Sequence, residues 1–117
     1  MLGGLMMAAV MAVAPVGAAG AEAGGKYYVY EDLSLGGYSD TVDSLDVTVH
    51  RADTGKTLRY IEVCLQRQED DHVSTRSCHK TDAWGHTNWK IYQGRLYRIH
   101  VTATQYHHPD YSEWFWG

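Results

Sequence analysis

The chain has no surplus of positive charge: ten Lys and Arg stand against fourteen Asp and Glu, a net charge of −4. That removes the electrostatic drive toward nucleic acid or an anionic membrane. No apolar run is long enough to span a bilayer; the most apolar stretch, residues 5–13, is too short. Residues 24–117 show no helical apolar period of useful length, no internal repeat, no low-complexity tract and no linker composition. Cysteine is scarce, with two residues, and phenylalanine more so, with one. These absences leave a single small domain built without amphipathic helices.

The first 23 residues contain no Lys, Arg or His, and Glu22 is their one charge. Leu5 to Val13 form the apolar stretch, Pro15 and Gly17 break it, and Ala21-Glu22-Ala23 supplies a small-x-small cleavage site. This is the layout of a secretory signal peptide, except that no basic residue precedes Leu2, which points to a start further upstream. Setting residues 1–23 aside leaves ten basic against thirteen acidic residues in 24–117. A secreted domain of this size has a marginal core and commonly carries a covalent staple. Cys64 and Cys78 are the only candidates, and the expected localisation is extracellular, with no membrane association after leader removal.

Residues 24–117 alternate at period two almost throughout. Residues 26–31 are aromatic and β-branched and read as a strand. Residues 33–43, with Gly36, Gly37, Ser39 and Asp40, read as a loop. Leu45, Val47 and Val49 alternate with Asp46, Thr48 and His50, a half-buried strand with His50 facing out. Residues 52–56 form a turn. Ile61, Val63 and Leu65 then alternate with Tyr60, Glu62 and Cys64, so Cys64 sits on the face opposite the aliphatic stripe. Residues 66–77 are polar and read as a loop or a short edge strand. Residues 81–85 are another turn. Trp89 and Ile91 share an inward parity, as do Tyr97, Ile99 and Val101. Residues 106–110 form a loop and 111–116 a closing strand, with Trp114 and Trp116 pointing inward. The expectation is an all-β antiparallel sandwich of six or seven short strands, with Greek-key or prealbumin-like connectivity.

Residues 45–49, the Asp53-Thr54-Gly55 turn, residues 61–65, Thr81-Asp82-Ala83-Trp84-Gly85 and residues 94–99 follow one another in a telling order. In that order the chain resembles prealbumin-like sandwiches, most of all the carboxypeptidase regulatory-like and transthyretin-like domains. Thr57 stands where these domains often carry proline. The enzymatic branch of that fold, the 5-hydroxyisourate hydrolases, ends in Tyr-Arg-Gly-Ser and carries a histidine at the start of its first strand. This chain ends Glu113-Trp114-Phe115-Trp116-Gly117, and His50 lies at the end of its strand, so the resemblance does not imply that activity. Residues 30–37 are also similar to the hairpin signature of βγ-crystallin Greek keys, but no second copy follows.

Seven histidines are present. His50 and His100 could approach each other if their strands are neighbours. His72, His79, His86, His107 and His108 are scattered, and none has the spacing that presents two imidazoles together, whereas zinc needs three or four converging ligands. No Gly-x-Ser-x-Gly elbow marks a nucleophile. Glu69-Asp70-Asp71 lacks the glycine and spacing of an EF-hand loop. The aromatics say more: nine Tyr and four Trp accompany the single Phe. Trp84 sits in a turn beside Gly85, either folding back over the sandwich or exposed for stacking. Tyr92, Tyr106 and Tyr111, at strand ends, could join it. The expected function is a non-catalytic module that binds glycan or protein through Trp84, Tyr92, Tyr106 and Tyr111, with no cofactor and no metal. The alternatives are a small hydrolase or metal-dependent enzyme using the histidines, and a protease inhibitor presenting the segment between Cys64 and Cys78.

A Cys64–Cys78 disulfide closes a loop of about fifteen residues and should stabilise the fold by about 3 kcal/mol on the chain-entropy view. Alkylating the unfolded, unreduced protein and weighing it checks this. No added alkyl group is the expected result; two would mean free thiols.

Overall fold

The computed structural model describes residues 25–117. The leader assigned to residues 1–23 lies outside them. The described residues form eight strands and no helix: β1 (Val29–Gly37), β2 (Val42–Arg51), β3 (Glu62–Gln68), β4 (Val73–Lys80), β5 (His86–Tyr92), β6 (Leu96–Val101), β7 (Asp110–Tyr111) and β8 (Phe115–Trp116). One sheet has the order β1-β2-β5, the other β4-β3-β6-β7, with β8 also paired to β6. Every ladder between these strands is antiparallel. β5 returns beside β2 and β6 beside β3, which is Greek-key connectivity.

Period-two patterning places the core as expected. Leu45, Val47 and Val49 of β2 meet Trp89 and Ile91 of β5, and Val63 and Leu65 of β3 with Tyr97, Ile99 and Val101 of β6. The Cys64–Cys78 disulfide forms between directly opposed residues of β3 and β4, with Cα atoms 4.0 Å apart. It lies on the outer face, since Val63 and Leu65 take the inner one. Glu69, Asp70 and Asp71 lie at the tip of the hairpin it closes, between the two strands.

Four local readings change. Residues 33–43 are not a loop: β1 continues to Gly37 and β2 begins at Val42, because Leu33 and Leu35 pair with Val47 and Leu45 and extend the ladder past the glycines. Residues 66–77 are a paired hairpin, with β4 as a full edge strand. The closing segment is two short strands. Ser112 interrupts it by accepting a hydrogen bond from the Ile99 amide with its hydroxyl, while its own amide donates to the Ile99 carbonyl. Side-chain parity restarts there, so Phe115 packs on the core and Trp116 is 65% exposed, against the expected inward Trp114 and Trp116. Trp114 instead lies beneath the Arg98 guanidinium, 4.7 Å from its ring centroid. Finally, His50 is only 8% exposed. It has the outward parity, but Tyr30 covers it at 3.9 Å between ring centroids and Asp32 bonds its Nε2 at 2.8 Å.

Side chains close the two seams where the sheets meet edge to edge. On the β4/β5 side, the Trp89 indole N–H donates to the Ser77 hydroxyl at 2.7 Å, and His79 stacks on the Trp89 ring at 4.4 Å. On the β1/β7 side, Glu31 points inward from β1 and faces Asp110 of β7. Burial, and then the hydrogen bond and charge of Asp110, push the Glu31 carboxyl up to about 8. The folded state therefore holds a proton at neutral pH that the unfolded chain has released. Its stabilising share is complete below the ordinary value of 4.5 and is lost as pH rises toward 8. His100 and His107 work in the opposite sense. Burial holds both below 6.5, so their share is lost as pH falls through that region. Glu31→Gln, which keeps a donor toward Asp110 and cannot ionise, should raise the melting temperature at pH 8.5 and have little effect near pH 4.5. Thermal melts of both proteins across that range check it, and a gain independent of pH would contradict the assignment.

Candidate functional site

Strand direction gathers three connections at one end of the sandwich: residues 52–61 between β2 and β3, 81–85 between β4 and β5, and 102–109 between β6 and β7. The N-terminal segment joins them, its Tyr27 amide donating to the Tyr106 carbonyl and the His108 amide to the Tyr27 carbonyl.

The first two connections are locked together by Thr81, which is 1% exposed. Its hydroxyl donates to the Leu58 carbonyl at 2.7 Å and accepts from the Ile61 amide at 3.0 Å. Its backbone amide donates to Ile61 and its carbonyl accepts from Tyr60. Tyr60 sits between those anchors with φ of 59°, the left-handed region that a tyrosine adopts only when its surroundings impose it. Gly85 lies against the same junction with φ of 82°. A Cβ there would come within 2.9 Å of Thr57 Cβ and 3.0 Å of the Val49 carbonyl oxygen. No other residue type fits that turn without displacing the loop.

The 81–85 turn is organised by the Asp82 carboxylate, which accepts from the amides of Trp84 at 2.8 Å and His86 at 2.9 Å. Those two amides hold its carboxyl below the usual aspartate range. The result is a fixed turn that presents Trp84 to solvent, 70% exposed, rather than folded back over the sandwich.

Between these loops lies an open cleft of about 600 Å³. Leu58 and Ile61, which also pack on the core, form its apolar part. Lys56 and Arg59 line it from the first connection, Ala83 from the second, and Thr104, Tyr106 and His107 from the third. No carboxylate lines it. Thr104 fixes the third connection, its hydroxyl accepting from the amides of Tyr106 and His107. Burial, and then the Arg51 charge, hold His107 below its usual value, so it is neutral at pH 7.

Of the four aromatic residues expected to act together, the fold brings Trp84 and Tyr106 to this end. It does not bring the other two. Tyr92 ends β5 at the opposite end of the sandwich, beside a smaller cleft of about 210 Å³ with Arg67 and Arg76. Tyr111 lies on the outer face of the second sheet, stacked on His100 at 4.3 Å and capped by the Arg98 guanidinium at 4.3 Å. Sequence reasoning missed Lys56, Arg59 and Tyr60 of the first connection. The signal was there, a Lys-x-x-Arg-Tyr run after the Asp53-Thr54-Gly55 turn, but nothing in the spacing ties it to Trp84.

Five of the seven histidines have a common role that the sequence did not suggest: they pack against aromatic rings. Besides Tyr30–His50, His79–Trp89 and His100–Tyr111, His108 stacks on Tyr28 at 4.4 Å and His107 tilts against Tyr27 at 6.0 Å. His50 and His100 lie on different sheets and do not approach each other. Among the described residues the closest group of three metal-type donors is Glu62, Cys64 and Cys78, whose two sulfurs are bonded to each other. No described helix is long and apolar enough to cross a membrane.

Comparison with protein-family models, with curated proteins and with solved structures finds no match for this chain.

Thr81→Val keeps the shape of the pin and removes both hydroxyl bonds, leaving the Leu58 carbonyl and Ile61 amide unpartnered. The expected loss is about 2 kcal/mol of unfolding free energy, read by urea denaturation. Faster amide exchange at Tyr60 and Ile61 should accompany it. A loss below about 0.5 kcal/mol would mean the loops are held by other contacts.

Proposed function

We propose that this is a secreted, non-catalytic β-sandwich module that binds a glycan or a protein partner at its loop end. The observation that carries the reading is Trp84. A large ring stands 70% exposed on a turn made rigid by Asp82 and Thr81, next to a cleft rimmed by Tyr106. An exposed indole costs solubility, and a rigid one retains little freedom to lose on contact, which is how aromatic anchors gain affinity. Of the two ligand classes, a glycan suits the site better. Flat rings beside an open, partly polar cleft complement the apolar and hydroxyl faces of a pyranose.

Secretion is part of the proposal. The leader-like segment 1–23 and the disulfide both support it, since such bonds persist in oxidising compartments. Kinship with prealbumin-like domains stands as a proposal as well. Two packed antiparallel sheets are the architecture that kinship needs.

Titrating intrinsic fluorescence against a panel of polysaccharides tests the reading. At least one should shift the emission, and Trp84→Ala should weaken that polymer's binding, measured by calorimetry, about tenfold or more. No response to any glycan, with Trp84→Ala behaving as the parent protein, would remove the glycan version.

A further inference from the structure

Resting on the loop end as the binding surface, we propose that its cleft selects an anionic saccharide. Lys56 and Arg59 would grip a carboxylate or sulfate while Tyr106 and Trp84 stack on the ring that carries it.

Arg51 is committed to Asp53 through two hydrogen bonds of 2.9 and 2.6 Å, and Arg67 and Arg76 both bond Glu69. Lys56 and Arg59 have no carboxylate partner among the described residues. The nearby carboxylates are occupied: Asp53 by Arg51, Asp82 by two amides of its own turn, Asp110 by Glu31. Two free cations thus face a cleft that no carboxylate lines.

The chain as a whole is acidic, at −4. Loop acids stand at both ends: Asp40, Glu69, Asp70 and Asp71 at the far end, and Asp53 and Asp82 at the loop end, where Arg51 and two turn amides hold them. A chain with this balance would repel polyanions over most of its surface. An anion is therefore held best where cations stand without a carboxylate partner, as Lys56 and Arg59 do at the cleft.

The cleft also favours a sugar over an acidic peptide. A peptide that binds as an added strand needs an exposed sheet edge with free backbone groups. This cleft lies between three connections whose amides are largely spent on each other. What it offers is side chains: two donors of fixed positive charge, one of them a guanidinium fork suited to a carboxylate or sulfate, and exposed aromatic rings. A pyranose with an acidic substituent presents the matching pair, an apolar C–H face and an anionic edge.

The test is calorimetry with four defined polymers of matched length: an oligogalacturonate, a heparin fragment, a neutral dextran and polyglutamate. The variants are Lys56→Gln/Arg59→Gln and a control, Lys90→Gln/Arg95→Gln, with the same charge change away from the cleft. All four positions are exposed, so equal melting temperatures confirm folding. The expected result is at least tenfold tighter binding of one anionic saccharide than of dextran, lost about tenfold in the cleft variant and kept in the control. Which of uronate and sulfate prevails identifies the anionic group. Binding of dextran as tightly as of the anionic polymers, dependent on Trp84, would overturn this inference and leave the binding module standing. Polyglutamate bound as tightly as either anionic saccharide would overturn the assignment to a sugar. An equal loss in both variants would overturn the assignment to this cleft. Silence from all four polymers removes both this inference and the glycan reading beneath it.

Discussion

A buried threonine hydroxyl must satisfy both its donor and its acceptor inside the protein, and Thr81 does so with two groups of a loop 20 and 23 positions earlier in the chain. That requirement fixes the loop end. With Leu58 and Ile61 held to Thr81, the chain between them has little freedom, and Tyr60 is forced into the left-handed region. Arg59 is then set on the cleft side of the loop and the Tyr60 ring turned to solvent. The same anchor positions the turn that follows it, so Trp84 and the two cations keep a fixed relation although they come from different connections. The backbone pairing of β3 with β4 reaches this junction through the Tyr60 amide on the Thr81 carbonyl and the Thr81 amide on Ile61, and the buried hydroxyl adds the hold on Leu58 that no ladder supplies.

Aromatic stacking takes on part of what a larger core would supply. A domain of this size buries a limited apolar volume, and only one phenylalanine is available to enlarge it. Tyr30 over His50, Tyr111 over His100 and Tyr28 over His108 cover backbone from outside the sheets. Such ring pairs contribute about 0.5–1.5 kcal/mol each beyond area burial. The disulfide acts on the same outer surface, where Cys64 lies between Cys78 and His100 across the strands. The histidine content thus has a packing explanation at those positions, and a titration consequence: His100, desolvated against Tyr111 and close to Arg98, resists protonation.

Period-two alternation was legible wherever one face is buried, as in Val47-Thr48-Val49 and Tyr97-Arg98-Ile99, because burial enforces the register. It failed in two identifiable ways. Gly36 and Gly37 read as a loop because glycine carries no side chain to show parity, yet their backbone groups pair with Ser44 and Asp43. Trp114 and Trp116 read as inward because they share parity opposite the charged Glu113, but Ser112, whose side chain replaces a ladder partner, breaks the strand there, and Phe115 takes the inner face instead. The site was half legible for a related reason. Trp84 and Tyr106 stand out as aromatics in turns, but their association with Lys56 and Arg59 is set by Thr81, and a lone threonine before an aspartate carries no such message. Tyr92 and Tyr111 share the composition of the site without its place, since strand direction sends one to the opposite end and sheet pairing turns the other onto an outer face.

Several side-chain polar contacts join parts of the sandwich that no ladder between strands joins. Thr81 ties one connection to another. Trp89 with Ser77, and His79 with Thr87, tie β5 to β4 where the two sheets meet edge to edge. Glu31 with Asp110 ties β1 to β7 along the opposite seam. A sandwich held only by apolar contact could slide one sheet over the other at small cost, because burial by area is not directional. Hydrogen bonds at both seams are directional and resist that sliding. The β1/β7 seam runs up to the loop end, where the N-terminal segment meets the 102–109 connection. The alignment of the two sheets there decides whether Tyr106, carried by one sheet, stands opposite Lys56, carried from the other. The acid pair is the least complete of these ties, with Glu31 Oε1 buried and unpartnered. It holds only while the carboxyl keeps its proton, so this seam is strongest below the pH at which Glu31 ionises.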